Sequence, residues 1–196
     1  MPDKRFIAAD DLLIDAFALS VQVFKSGFRP DFLIGLWRGG SGVGISVQEG
    51  LEYLGVPTDH IAVRTSYAGP EEYSRRMSGK GRIAVHGLRY VLERVEARHK
   101  LLIVDDVYST GNSVRAVISK LRRKARLNTP TDIRTAAVWH RRSDRGVGPP
   151  DFHVRETEEW LVLPYELSGL TPKQIAKHKP AAAKVLEELK DFRRAG

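Results

Sequence analysis

The run Leu101-Leu102-Ile103-Val104-Asp105-Asp106-Val107-Tyr108-Ser109-Thr110-Gly111-Asn112-Ser113 constrains this chain more than any other stretch. Four consecutive apolar residues predict a short buried strand. The apolar run then stops at two adjacent carboxylates. Small and hydroxylated residues follow with one glycine, and Val114, Val117, Ile118 and Leu121 then recur at helical spacing. The pattern is strand, loop, helix, with the loop at the carboxyl end of the strand. Open α/β sheets bind their ligands at such ends.

The pattern also occurs earlier. Asp31 to Leu36 predicts a strand that runs into Trp37-Arg38-Gly39-Gly40-Ser41-Gly42, and a helix over roughly 43–54 follows, closed by Gly55 and Pro57. Ahead of it, Leu12, Leu13, Ala16, Phe17, Leu19 and Phe24 form a helical stripe that Asp10 can cap and Gly27 can end. Further strands are expected at 61–65, 83–85, 132–139 and 160–166, and a helix from Leu88 to Val95. Thr171-Pro172 starts a helix, and Ala181 to Phe192 is amphipathic. Residues 66–81 are polar and glycine-containing, long enough for a lid. With no internal repeat or linker, the chain reads as one α/β domain over 1–196. Its core covers about 10–140, and a hood with C-terminal helices covers about 141–196.

Composition excludes several classes. No apolar run approaches the ~20 residues of a membrane span, and Met1-Pro2-Asp3-Lys4-Arg5 lacks the apolar core of a signal peptide. The absence of cysteine removes disulfides, thiolate metal sites and thiol catalysis, and a cytoplasmic location is expected. The 32 Lys+Arg against 24 Asp+Glu give a net charge of +8. That surplus favours anionic partners, whether phosphorylated small molecules, nucleic acid or an anionic surface, and a merely solvated basic surface accounts for it equally well.

In the opening motif, the amides of Thr110, Gly111, Asn112 and Ser113 start a helix and carry its positive dipole end, which suits a phosphate monoester. Asp105 and Asp106 repel the same phosphate and suit a diol or a hydrated Mg²⁺. Phosphate donors beside diol acceptors point to a sugar phosphate. A capped helix without ligand is the plain alternative. A response-regulator domain is another, but it would place the acid pair near its N-terminus. Arg38-Gly39-Gly40-Ser41 reads either as a tight strand-to-helix connection or as a second anion site. There is no Walker A match, and His60, His86, His99, His140, His153 and His178 show no metal-ligand spacing.

Val104 to Ser113 resembles the phosphoribosyl-pyrophosphate (PRPP) signature of type I phosphoribosyltransferases: an apolar run, paired acids, two variable positions, then Thr-Gly-x-Ser/Thr. Trp37-Arg38-Gly39-Gly40 is similar to the family's pyrophosphate loop, 66–81 lies where the family has its catalytic lid, and Trp160 to Glu166 resembles the hood of the hypoxanthine/guanine/xanthine branch. The resemblance covers about residues 10–170. It implies a mostly parallel sheet flanked by helices, with a small C-terminal hood. The implied enzyme transfers 5-phosphoribose from PRPP to a purine base and releases pyrophosphate, with Mg²⁺ as cofactor. It also implies a homodimer without membrane contact.

By the same resemblance, Asp105, Asp106 and Ser109 are the catalytic positions, and the two acids place Mg²⁺ mainly through water. Ser109, Thr110, Gly111, Asn112 and Ser113 hold the 5-phosphate, while Arg38, Gly39 and Gly40 hold the pyrophosphate. His140, Arg141, Trp160, Leu161 and Glu166 face the base. Two departures touch base recognition and turnover, and leave the PRPP motifs intact. Ser109 stands where the 6-oxopurine branch usually has Asp, and Trp139-His140-Arg141-Arg142 lacks that branch's Lys. A transferase of the same fold for another base is therefore an open alternative, and so is a PRPP- or nucleotide-sensing regulator that binds nucleic acid.

Overall fold

The computed structural model describes residues 4–67, 83–142 and 148–188. Its elements in chain order are β1 (Lys4–Phe6), α1 (Ala9–Lys25), β2 (Phe32–Trp37), α2 (Gly39–Tyr53), β3 (Asp59–Tyr67) and β4 (Ile83–His86). Next come α3 (Arg89–Leu92), β5 (Lys100–Tyr108), α4 (Asn112–Ala125), β6 (Asp132–Arg141), β7 (Phe152–Thr157), β8 (Trp160–Val162), α5 (Pro172–His178) and α6 (Pro180–Glu187). The chain divides into two compact units, Leu12–Glu158 and Met1–Asp11 with Glu159–Gly196.

In the larger unit the strands run β4-β3-β2-β5-β6-β7, all parallel except the antiparallel β3–β4 pair. This is the expected mostly parallel α/β sheet. From β2 the chain moves through α2 toward one edge, and from β5 through α4 toward the other. The strand order therefore reverses between β2 and β5, and ligands bind in the crevice at such switch points. Leu33, Ile34, Leu101, Leu102 and Ile103 are fully buried, as central strands covered on both faces require. Among the described residues, no helix is long and apolar enough to cross a membrane.

In the smaller unit β1 pairs in parallel with β8, matching Lys4 with Trp160 and Phe6 with Val162. Phe6 stacks on His178 with ring centroids 3.8 Å apart. Thr171 and Gln174 form a reciprocal capping box at the start of α5.

Several expectations shift. The glycine-rich turn after β2 is already helix, because α2 begins at Gly39, not near Val43. Asp10 lies in the first turn of α1, where it still complements the dipole, instead of at its cap. The helix expected over 88–95 is the short α3, after which turns continue to Val95, whose N–H donates to Val91 O at 2.8 Å; both valines are buried. The strand expected at 160–166 ends at Val162, just before Pro164. The strands β1 and β7 were not expected. β1 has only three residues, and β7 is an edge strand with irregular burial and no apolar alternation.

Candidate active site

The site grows from the divergence of β2 and β5. Their pairing runs from Phe32 opposite Leu101 to Gly35 opposite Val104 and ends there, although both strands continue. The start of α2 fills the opening. A Cβ on Gly40 would lie 2.7 Å from Val104 O, 2.9 Å from Asp105 Cα and 3.0 Å from Asp105 Oδ1. Only glycine allows that approach, so the Arg38–Gly40 segment and the acid pair are direct neighbours. The Trp37–Arg38 peptide is cis.

The two carboxylates are tethered to the backbone. Asp106 N–H donates to Asp105 Oδ1 at 3.0 Å, and Val107 N–H donates to Asp106 Oδ1 at 2.9 Å. Burial pushes the Asp105 carboxyl well above its ordinary value, and the adjacent Asp106 charge pushes it the same way. A cation or a hydroxyl donor against this pair would relieve that penalty, so the residues fit the hydrated Mg²⁺ and the diol expected from sequence.

Beyond Tyr108 the chain turns through Ser109–Gly111 into α4. Gly111 caps the helix with φ 69°, a left-handed conformation that glycine adopts without penalty. No side chain caps α4, and its first turn holds no acid. The amides of Asn112 and Ser113 thus carry an uncompensated positive dipole end. Asn112 N–H makes a long contact of 3.4 Å to Thr110 Oγ1, and the Arg115 guanidinium donates to Asn112 Oδ1.

The end of β6 runs alongside, with Tyr108 opposite His140. Arg141 Nη2 donates to Ser109 Oγ at 3.2 Å, which brings one expected base contact to the residue that departs from the 6-oxopurine pattern. His140 is enclosed. Its ring is buried at 8 % exposure, edge-on to Tyr108 and to His153 with centroids 6.3 and 5.4 Å away. His140 Nδ1 lies 3.7 Å from Glu156 Oε1, and His153 Nε2 lies 2.9 Å from the same oxygen. The His153 hydrogen bond is the main cause that holds the Glu156 carboxyl below its ordinary value. No sequence spacing could show this cluster, because His140 and His153 lie on different strands and meet only through the β6–β7 register.

Trp160, Leu161 and Glu166 belong to the smaller unit. The Trp160 side chain is half-exposed, and Leu161 is buried. Glu166 Oε2 accepts from Leu163 N–H at 3.4 Å, while Lys179 Nζ donates to the carbonyls of Leu163 and Pro164 at 2.6 and 2.8 Å. Burial lowers the Lys179 ammonium from its ordinary value, and the Glu166 charge opposes that shift. Most of the lid expected over 66–81 lies outside the described residues.

The phosphoribosyl transferase domain family matches residues 5–167. Among curated protein sequences, none matches the chain. Solved structures similar to it include the following three. A purine phosphoribosyltransferase from Pyrococcus horikoshii Ot3 superposes with a TM-score of 0.63 at 22% identity, covering 86% of this chain and 97% of that one. The xanthine-guanine-hypoxanthine phosphoribosyltransferase of Helicobacter pylori gives 0.61 at 16% identity over 90% and 100%. A hypothetical protein from Neisseria gonorrhoeae with bound ppGpp gives 0.67 at 18% identity over 94% and 98%. At these identities the likeness concerns the fold.

Proposed function

The chain belongs to the phosphoribosyl transferase domain family, and from that premise we propose that it moves 5-phosphoribose from PRPP to a ring nitrogen of a purine of the hypoxanthine, guanine or xanthine type, releasing pyrophosphate. The observation that carries this reading is the close packing of Gly40 on Asp105, which sets a cationic helix start beside an acid pair and an uncapped helix N-terminus at one switch point.

The roles follow from the charges. Transfer breaks the ribose C1–O bond, so positive charge develops on the ring and negative charge on the leaving pyrophosphate. Arg38, with the amides of Gly39 and Gly40, receives the pyrophosphate. Asp105 and Asp106 hold the ribose hydroxyls and face the growing positive charge. The amides and hydroxyls from Ser109 to Ser113 bind the 5-phosphate and fix the sugar in place. Mg²⁺, held by Asp105 and Asp106 mainly through water, would add positive charge at the pyrophosphate.

For the base we assign Arg141, which already bonds Ser109, as the donor to an exocyclic oxygen. We do not assign His140, whose ring is enclosed. Trp160, Leu161 and Glu166, which the resemblance assigns to the base, belong to the smaller unit. A cytoplasmic homodimer is part of the proposal, and sedimentation of the purified protein tests the dimer.

The test is incubation with PRPP, Mg²⁺ and a panel of purines and pyrimidines, with products identified by mass. A nucleoside monophosphate from a 6-oxopurine is the expected product. Turnover of pyrimidines alone would move the assignment to another base. A second reading, a nucleotide-sensing regulator that binds nucleic acid, draws on the ppGpp bound by the Neisseria neighbour and on the net charge of +8. Nucleic-acid binding that responds to PRPP or ppGpp, without turnover of any base, would favour it.

A further inference from the structure

Parallel pairing of β6 and β7 sets His140 opposite Glu156, with His153 three residues before Glu156 on the edge strand. One nitrogen from each histidine and one oxygen from Glu156 all lie within 4.8 Å of one another. We propose that these three side chains bind a divalent transition-metal ion of the zinc class, at a site separate from the acid pair at the end of β5.

The distances suit such an ion. Tetrahedral zinc with bonds of about 2.0–2.2 Å needs donors roughly 3.4 Å apart. The two donor pairs with defined separations stand at 2.9 and 3.7 Å, on either side of that value. The third pair, between the two histidines, lies within 4.8 Å, and the His153 side chain is partly exposed on the edge strand.

A second observation points the same way. His140 Nδ1 is buried and makes no hydrogen bond. A His153–Glu156 hydrogen bond explains the contact of those two residues but leaves His140 Nδ1 with only the same Glu156 oxygen at 3.7 Å, too long for a hydrogen bond. A metal ion would engage all three. Two imidazoles and one carboxylate select zinc, cobalt or nickel over magnesium, which prefers an all-oxygen shell. Three protein ligands leave a fourth position for water. The ion would tie edge strand β7 to β6 one residue before Arg141, and so fix the strand end that reaches Ser109.

The test uses untagged full-length protein stripped with chelator and titrated with Co²⁺ as an optical probe, then with Zn²⁺. The expected result is one Co²⁺ per chain with visible absorption typical of tetrahedral coordination, displaced by Zn²⁺ and not by Mg²⁺. His153→Ala and Glu156→Gln, both on the accessible edge, should each weaken binding by more than about tenfold while circular dichroism shows the fold retained. His86→Gln, which alters an exposed histidine bonded to Ser66, should leave affinity unchanged. Absence of stoichiometric binding would overturn the proposal. So would affinity that survives both edge variants, or falls equally in His86→Gln. None of these measurements depends on PRPP, so the proposal can fail while the transferase reading stands, and the reverse.

Discussion

Ser109 is a weak acceptor at the position where the 6-oxopurine branch usually places Asp, and the guanidinium of Arg141 bonds to it directly. Arg141 thereby sets a fixed charge beside Ser109, the position proposed to face the base. Arg141→Ala is expected to raise KM for the base about 10–100-fold, the range for losing a hydrogen bond to a charged group worth ~1.5–3 kcal/mol. KM for PRPP should change little, and steady-state kinetics varying each substrate in turn checks this. His60 offers a residue-scale test of stability. It packs against Gly35 and Gly44, its Nδ1 faces Gln48 Oε1 at 3.1 Å, and its Nε2 is buried without a hydrogen bond. Burial lowers its pKa, and the nearby Asp59 charge only partly opposes this. The unfolded chain therefore binds a proton at His60 more readily than the folded chain. The neutral ring's contribution is full above the unfolded value of about 6.5 and is lost as pH falls below it toward the lower folded value. Urea denaturation between pH 7.5 and 5 should show a smaller loss of stability on acidification in His60→Gln than in the natural chain.

At the scale of elements, two glycines of α2 separate a site role from a propensity cost. Gly40→Ala places a methyl group against the backbone of Val104 and Asp105, so it should lower both stability and PRPP affinity. Gly42→Ala meets nothing within 4 Å and should stabilise the protein by about 0.5–1 kcal/mol, as expected for alanine in a helix interior. Chemical denaturation of both variants tests the contrast. The edge strand β7 is anchored differently. Arg155 Nε and Nη2 hold the buried Asp15 of α1 at 2.9–3.2 Å. Arg155→Met strands that carboxylate and should cost about 2 kcal/mol, less than a fully buried pair because the arginine is half-exposed. These two contacts also show what was legible in sequence. The apolar run ending at Val104 marked β5, which continues through both acids to Tyr108, because central strands carry local patterns. Helical spacing likewise marked α1 and α4. The Asp15–Arg155 pair and the His140–His153–Glu156 cluster carry no local pattern, since each exists only through strand order and register. The Gly39-Gly40 turn was visible, but its physical reason, helix against strand end, needed three dimensions.

At the scale of the molecule, the larger unit carries the acid pair, the uncapped helix and the cationic segment at the point where strand order reverses. The smaller unit carries Trp160, Leu161 and Glu166, joined by an N-terminal strand that no sequence signal announced. The proposed PRPP chemistry rests on residues of the larger unit alone. The net charge of +8 is consistent with anionic substrates without choosing among them. The most direct test of PRPP use at the β2–β5 crevice is base-dependent release of pyrophosphate from PRPP, measured for the natural chain and for the double variant Asp105→Asn, Asp106→Asn. The prediction is release matched one-for-one by nucleoside monophosphate with at least one 6-oxopurine. The double variant should be at least about 100-fold slower, the scale of losing transition-state charge stabilisation, with its circular dichroism unchanged. A folded natural chain that releases no pyrophosphate with any base, or a double variant as fast as the natural chain, would contradict the account.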